Sequence, residues 1–68
     1  MERNTFKSSN LKSMEYDQGT LRLTFNAGGV YEYYNVPQPV VSELQQAQSA
    51  GSYFHQFIRE KYNFKRLA

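Results

Sequence analysis

The chain has 68 residues, which is enough for one domain with a small hydrophobic core and too few for two. Its 40% hydrophobic and 21% charged residues exclude an intrinsically disordered chain. There is no cysteine, so disulfides, thiolate nucleophiles and cysteine-based metal sites are excluded. The net charge is +2, and half of the eight lysine and arginine residues lie in residues 59–68. A basic end of this kind favours acidic partners.

The first eight residues differ in pattern from the rest of the chain. Residues 1 to 8 are mostly polar and follow no period, so we expect a loose lead-in before a single domain at residues 9 to 68. They lack the apolar core of a signal peptide, and no stretch approaches the ~20 apolar residues of a membrane span. We therefore expect a cytoplasmic protein without a membrane partner.

Three runs of β-forming residues follow, separated by glycine-containing turns. They cover Leu11 to Tyr16, Thr20 to Phe25 and Val30 to Asn35. Connections this short join antiparallel neighbours. The sequence therefore predicts a three-stranded antiparallel β-meander.

The first connection predicts which residues share the outer face of this sheet. A two-residue loop between the first two strands would place Glu15 opposite Arg22 and Met14 opposite Leu23. The outer face would then be mixed in charge and carry one ring. Its predicted members are Ser13, Glu15, Arg22, Thr24, Glu32 and Tyr34.

The length of the second loop decides which face Tyr31 and Tyr33 occupy. A two-residue loop at Gly28-Gly29 would turn both tyrosines to the outer face, beside Arg22, where they could stack on bases. The sheet itself would then be the binding platform.

A three-residue loop at Ala27–Gly29 gives the opposite arrangement, with both tyrosines in the core and Leu23 opposite Tyr33. It is favoured because Asn26 suits the first position of a type I turn and Gly29 suits the left-handed bulge position that follows.

Two helices are predicted after the sheet. The segment Pro37-Gln38-Pro39 ends the third strand and suits a helix entrance. An amphipathic helix of about ten residues should follow, closed by Gly51, and Ser52 should cap a second helix. Lys61 falls within the apolar arc of that helix, which is typical of an end that has left the core and less often of a functional cation held against an aromatic surface. The predicted class is α+β, with both helices packed on one face of the sheet.

Catalytic groups are scarce. His55 is the single histidine and has no second ligand at metal-binding spacing. No Gly-Lys-Ser/Thr follows Gly28-Gly29, so these are hairpin glycines and not a phosphate loop. The carboxylates are scattered over separate elements. We therefore expect no enzyme activity, catalytic residue, metal or cofactor.

Basic and aromatic residues close together are what single-stranded nucleic acid binding uses. The sequence predicts a binding module, for RNA or another nucleic acid, with a basic C-terminal surface. Its candidate contacts are Arg59, Lys61, Lys65, Arg66, Tyr34 and Arg22. The alternative is a protein-interaction module or homodimer that uses a sheet edge or the outer face of the sheet.

The order of several short motifs resembles the KTSC domain. The motifs are Ser9-Asn10-Leu11, Tyr16-Asp17, Tyr31-Glu32-Tyr33, Val36-Pro37, Ser49 to Phe54 and Ile58 to Tyr62. That family is named for its occurrence at the C-terminus of some lysyl-tRNA synthetases, and it also occurs as small stand-alone bacterial proteins. The resemblance implies a tyrosine-any-tyrosine motif at Tyr31 and Tyr33, expected in the core, and a basic pattern at Arg59 and Lys61. RNA binding is a suggestion for the family, whose function is not established.

Overall fold

The fold combines one β-sheet with two helices. It is described by a computed structural model for residues 2–6 and 10–68. Residues 1, 7 and 8 of the expected lead-in, and Ser9, lie outside this part. The elements in chain order are β1 (Glu2–Thr5), β2 (Leu11–Asp17), β3 (Thr20–Phe25), β4 (Val30–Tyr33), α1 (Gln38–Gln46), α2 (Ala50–Phe57) and β5 (Phe64–Arg66).

The sheet has five strands, in the order β1-β2-β3-β4-β5, where three were predicted. Every neighbouring pair is antiparallel. β1 lies within the segment expected to be a loose lead-in, and it pairs with β2 from Glu2 opposite Tyr16 to Thr5 opposite Ser13. Its four residues are all polar, so no hydrophobic alternation marks it. The α+β class is confirmed, and the number of strands was wrong.

The β2–β3 hairpin has the predicted two-residue loop. Gln18 and Gly19 both have positive φ, at 48° and 86°, as a tight hairpin turn requires. Glu15 therefore lies opposite Arg22, and Met14 lies opposite Leu23. The predicted register of this hairpin is confirmed.

The β3–β4 hairpin has a three-residue loop, one residue earlier than the favoured one. The N–H of Gly28 donates to the carbonyl of Phe25 at 3.0 Å, and Gly28 takes the left-handed conformation at φ 88°. Leu21 rather than Leu23 therefore lies opposite Tyr33. A shift of two residues leaves each side chain on the same face of the sheet, so Tyr31 and Tyr33 both lie on the inner face. The alternative, in which they form a binding platform on the outer face, was wrong.

The two helices pack on that inner face. α1 follows Pro37 as predicted and buries Val41 and Leu44. α2 begins earlier than predicted, because the Ser49 side chain accepts a hydrogen bond from the N–H of Ser52. Gly51 therefore lies buried inside α2 and does not end α1, and Ser52 is not the cap.

The core lies between the inner face of the sheet and the helices. The Tyr16 hydroxyl is satisfied there by donating to the carbonyl of Val36 at 2.6 Å. The fully buried side chains of the core are Leu11, Met14, Leu21, Leu23, Val36, Val41, Leu44 and Ile58.

Candidate binding groove

A groove opens at the end of the inner face where the β3–β4 hairpin, β5 and the end of α2 meet. Its volume is about 500 Å³. Asn10, Arg59 and Glu60 supply its longer polar side chains, and most of its wall is aromatic. We call this site the aromatic groove; its five rings are Phe25, Tyr31, Tyr33, Phe54 and Phe64.

Ring-to-ring contacts fix the shape of the aromatic groove. The centroids of Phe25 and Tyr31 lie 5.5 Å apart at 83°, and those of Tyr33 and Phe54 lie 5.5 Å apart at 78°. These edge-to-face arrangements are the favoured geometry for aromatic pairs. The ring centroid of Phe64 lies 5.3 Å from that of Tyr33. The rings therefore support one another before any ligand binds.

The rings differ in their exposure to solvent. Tyr33 is only 3% exposed and belongs to the floor of the groove, whereas Phe64 is 54% exposed and forms an open wall. Burial raises the pKa of the Tyr33 hydroxyl above its usual value, the nearby Tyr31 adds to this, and Arg59 opposes it. A ligand can therefore reach the Phe64 wall, while Tyr33 holds the wall in place.

Two arginines border the aromatic groove. β5 places Arg66 opposite Tyr31, with the guanidinium carbon 5.6 Å from the ring centroid. Arg66 Nε also donates to the carbonyl oxygen of Ala68 at 2.9 Å, which orients the side chain. Arg59 lines the other side and lies within hydrogen-bonding distance of His55, with Nη1 3.4 Å from Nδ1. Positive charge thus borders an aromatic surface.

The backbone of the hairpin approaches this site closely at Gly29. A Cβ atom on Gly29 would lie 3.4 Å from the Tyr31 ring and 3.8 Å from the Arg66 guanidinium. Gly29 also has a φ of 131°, which other residues rarely adopt. These would be ordinary van der Waals contacts, so the φ angle is what disfavours another residue at this position.

The opposite face of the sheet carries a row of alternating charges across all five strands. Strand pairing aligns Arg3, Glu15, Arg22, Glu32 and Lys65 in that order. Arg22 Nη2 lies 2.8 Å from a Glu32 oxygen, and its Nη1 lies 3.4 Å from a Glu15 oxygen. Arg3 lies 3.1 Å from the second oxygen of Glu15. We call these five residues the charge row.

Three of the predicted nucleic-acid contacts lie at the charge row: Arg22 and Lys65 belong to it, and Tyr34 bonds to it. Arg22 is shared between two carboxylates, and the Tyr34 hydroxyl donates to Glu32 at 3.2 Å. The hydrogen bond from Arg22 lowers the pKa of the Glu32 carboxyl. A concavity of about 550 Å³ beside the row includes Arg22, Glu15, Glu32 and Asp17 in its lining. Its acids offset its cations, so this concavity is poorly suited to an anion.

The structure divides the predicted basic surface into three locations. Arg59 and Arg66 lie at the aromatic groove. Lys65 lies opposite Glu32 on the outer face. α2 ends at Phe57, and Lys61 lies beyond it with its Nζ 6.0 Å from the Phe57 ring centroid. Lys61 thus lies outside α2 rather than within its apolar arc, and its role stays a prediction.

The sequence did not assign Phe25, Phe54 or Glu60 of the groove to a site. It placed Phe64 among the rings near the C-terminal cations, without a contact of its own. Phe25 and Phe54 follow the apolar pattern of a strand and a helix, which is equally typical of a closed core. Phe64 carries no strand pattern, since β5 has only three residues. Glu60 was one of several scattered carboxylates. The tyrosine-any-tyrosine motif was the available signal, and it marks the floor of the groove.

Other classes of site find no support in the described residues. Within residues 2–6 and 10–68, no three His, Cys, Asp or Glu side chains are grouped to hold a metal ion. Over the same part of the chain, no helix is both long and apolar enough to cross a membrane.

Comparison with known proteins assigns the family. A sequence profile described as the KTSC domain matches residues 7–62. The chain belongs to the KTSC domain family. A crystal structure of a KTSC domain protein from Yersinia pestis superposes with a TM-score of 0.91 at 28% identity, covering 98% of this chain and 97% of that one. The arrangement of five strands and two helices is therefore a known form of the KTSC domain.

Relatives of this KTSC domain occur in two contexts. The chain is 42% identical over 64 residues to a lysine–tRNA ligase of Trichormus variabilis, and 41% identical over 64 residues to that of Nostoc punctiforme. Each match covers 91% of this chain and 11% of the ligase. A stand-alone uncharacterized protein of Stutzerimonas stutzeri is 37% identical over 70 residues, covering 98% of this chain and 99% of that protein.

Proposed function

We propose that this KTSC domain is a non-catalytic module that binds single-stranded RNA in the aromatic groove. Bases stack on the exposed ring of Phe64, and Arg59 and Arg66 neutralise the phosphates. The observation that carries the proposal is the Arg66 guanidinium above the Tyr31 ring, beside a phenylalanine that is 54% exposed. The proposed stacking ring and the proposed phosphate-binding cation thus lie two residues apart in β5, on the same face of the sheet.

The size and shape of the groove favour a single-stranded ligand. A volume of about 500 Å³ lies within the range of sites for small ligands, so it suits about one nucleotide rather than a helix. Bases in a duplex already stack on one another, whereas unpaired bases are free to stack on protein rings. Rings and cations together are how sequence-tolerant single-strand binders work.

The relatives support RNA as the class of ligand. Proteins named lysine–tRNA ligase carry a segment that is about two-fifths identical to this chain. A tRNA ligase acts on RNA, and the similar segment makes up only about a tenth of it. RNA binding by the isolated domain follows as a proposal from this context and from the aromatic groove.

The direct test is fluorescence anisotropy with labelled RNA. A single-stranded decanucleotide and a duplex of the same length are titrated with the domain at low and moderate salt. We expect the single strand to bind more tightly and its affinity to fall with salt, because neutralised phosphates release counterions. No binding to either RNA at low salt, or a preference for the duplex, would contradict the proposal.

A second candidate function, protein binding or homodimerisation, is favoured by one observation. β5 is an edge strand of three exposed residues, and edge strands have unpaired backbone groups that can pair with another chain. Such binding should depend weakly on salt and survive the double substitution of Lys65→Ala with Arg66→Ala. Sedimentation at two concentrations detects the homodimer, and an unchanged monomer at both would remove that form of the candidate.

A further inference from the structure

We infer that the aromatic groove prefers guanine and that Glu60 reads the base. This inference rests on the proposed function, since it assigns selectivity to the same site. Glu60 is the one acidic residue among the described residues that line the groove. It lies next to Arg59 in the chain and is exposed to solvent.

Glu60 differs from the carboxylates of the charge row in having no partner among the described residues. Glu15 and Glu32 each bind an arginine, whereas the Glu60 carboxylate forms no hydrogen bond or ion pair within residues 2–6 and 10–68. A free negative charge in the groove repels phosphate, so it lowers general affinity for RNA. It contributes favourably only where a ligand presents hydrogen-bond donors to it.

The edges of the four bases differ in the donors they present. An ionised carboxylate has two oxygens that only accept hydrogen bonds. The Watson–Crick edge of guanine presents two adjacent donors, the ring N1–H and the exocyclic amino group, which match the two oxygens. Adenine and cytosine each present one amino group beside a ring nitrogen that repels a carboxylate. Uracil presents one N–H between two carbonyl oxygens.

The positions of the neighbouring groups are compatible with this role. A base stacked on Phe64 lies parallel to that ring, with its hydrogen-bonding edge directed sideways past the ring, and the same groove is lined by Arg59 and Glu60. Arg59 can hold the phosphate while Glu60 accepts from the base, so that one segment after α2 contacts both parts of a nucleotide. The expected order of affinity is guanine first, adenine and cytosine next, and uracil last.

The test compares the trinucleotides UGU, UAU, UCU and UUU by isothermal titration calorimetry. We expect UGU to bind about tenfold more tightly than UUU, as a well-formed bidentate contact to a base discriminates. Glu60→Gln should remove most of this preference and bind UUU slightly more tightly than the wild type. Asp17→Asn removes the same charge at the β2–β3 turn, outside the groove, and should preserve the preference.

The outcomes separate this inference from the proposed function. Equal binding of UGU and UUU by the wild type, or a guanine preference that survives Glu60→Gln, would overturn the role of Glu60 and leave RNA binding intact. Binding of none of the four trinucleotides, together with no binding of the longer single strand, would overturn both.

Discussion

The two faces of the sheet use the same residue types with opposite results. On the outer face, Arg22 lies between Glu15 and Glu32, so its charge is already neutralised. On the inner face, Arg66 lies above the Tyr31 ring and binds only a backbone carbonyl in the described part of the chain. The availability of an arginine to a ligand thus depends on which residues strand pairing places beside it.

Adjacent residues of β5 lie on different faces of the sheet and therefore have different surroundings. Lys65 and Arg66 are neighbours in β5, and successive residues of a strand point to opposite faces. Lys65 therefore joins the charge row opposite Glu32, while Arg66 lies opposite Tyr31 at the border of the aromatic groove. The cations of β5 are therefore divided between an outer face, where charged side chains pair with one another, and an inner face, where we propose that a ligand binds.

The largest expected effect is on stability and tests the floor of the groove. Tyr33 is 3% exposed and contacts Phe54 and Phe64, so Tyr33→Ala should lower the free energy of unfolding by about 3–5 kcal/mol. Urea unfolding measures this change. Tyr33→Phe keeps the ring and should remain folded with a much smaller loss. A similar small loss for the alanine variant would show that the floor is not part of the core.

The next effect is on RNA binding and tests the wall of the groove. Phe64→Ala should weaken binding of a single strand by about 1–3 kcal/mol, the usual contribution of one stacked base, and leave the fold intact. Phe57→Ala is the matched control, since Phe57 is 44% exposed and lies outside the groove. Equal losses for the two variants, measured by fluorescence anisotropy, would remove the special role of Phe64.

A smaller effect on salt dependence compares the arginines of the two faces. Arg66→Gln should reduce the slope of log affinity against log salt by about 1, because one phosphate contact is lost. Arg22→Gln removes the same charge from the charge row and should leave the slope nearly unchanged. Anisotropy titrations at four salt concentrations give both slopes. The reverse order of effects would place the binding surface on the outer face.

The smallest effect is the acid sensitivity of the charge row. Arg22 lowers the pKa of Glu32 from its usual 4.5 in the folded state, so the folded state releases this proton more readily than the unfolded chain. The resulting stability is present above about pH 4.5 and is lost as the pH falls through the lower folded-state pKa. Glu32→Gln should flatten this part of the urea-unfolding profile. An unchanged profile would show that the pair contributes nothing to folding.

Much of the fold could be predicted from the sequence, because apolar and polar residues alternate along its central strands. The pairing of Glu15 with Arg22 follows from apolar alternation and a two-residue loop. The inward position of Tyr31 and Tyr33 follows from the parity of a three-residue loop, although the favoured loop was placed one residue too late. β1 and β5 were missed because edge strands are short and, in β1, entirely polar. Their pairing depends on the neighbouring strand and leaves no pattern of its own.

The candidate site could be predicted from the sequence only in part. Arg59 and Arg66 were among the predicted contacts, but so were Arg22 and Tyr34, which lie on the opposite face. The proximity of basic and aromatic residues in the sequence does not tell which face of the sheet each one occupies, because β5 was not predicted. The position of Phe64 beside Tyr33 depends on that same strand pair, so the open wall of the groove became visible only in three dimensions.

The central claim, that ligands bind the inner groove and not the outer face, is tested most directly by NMR. Backbone amide shifts are followed while a single-stranded RNA is added at low salt. We predict localised shifts at Gly28, Tyr31, Arg59, Phe64 and Arg66, with little change at the amides of Arg3 and Glu15. Shifts centred on the charge row, or no localised shifts at all, would contradict the account.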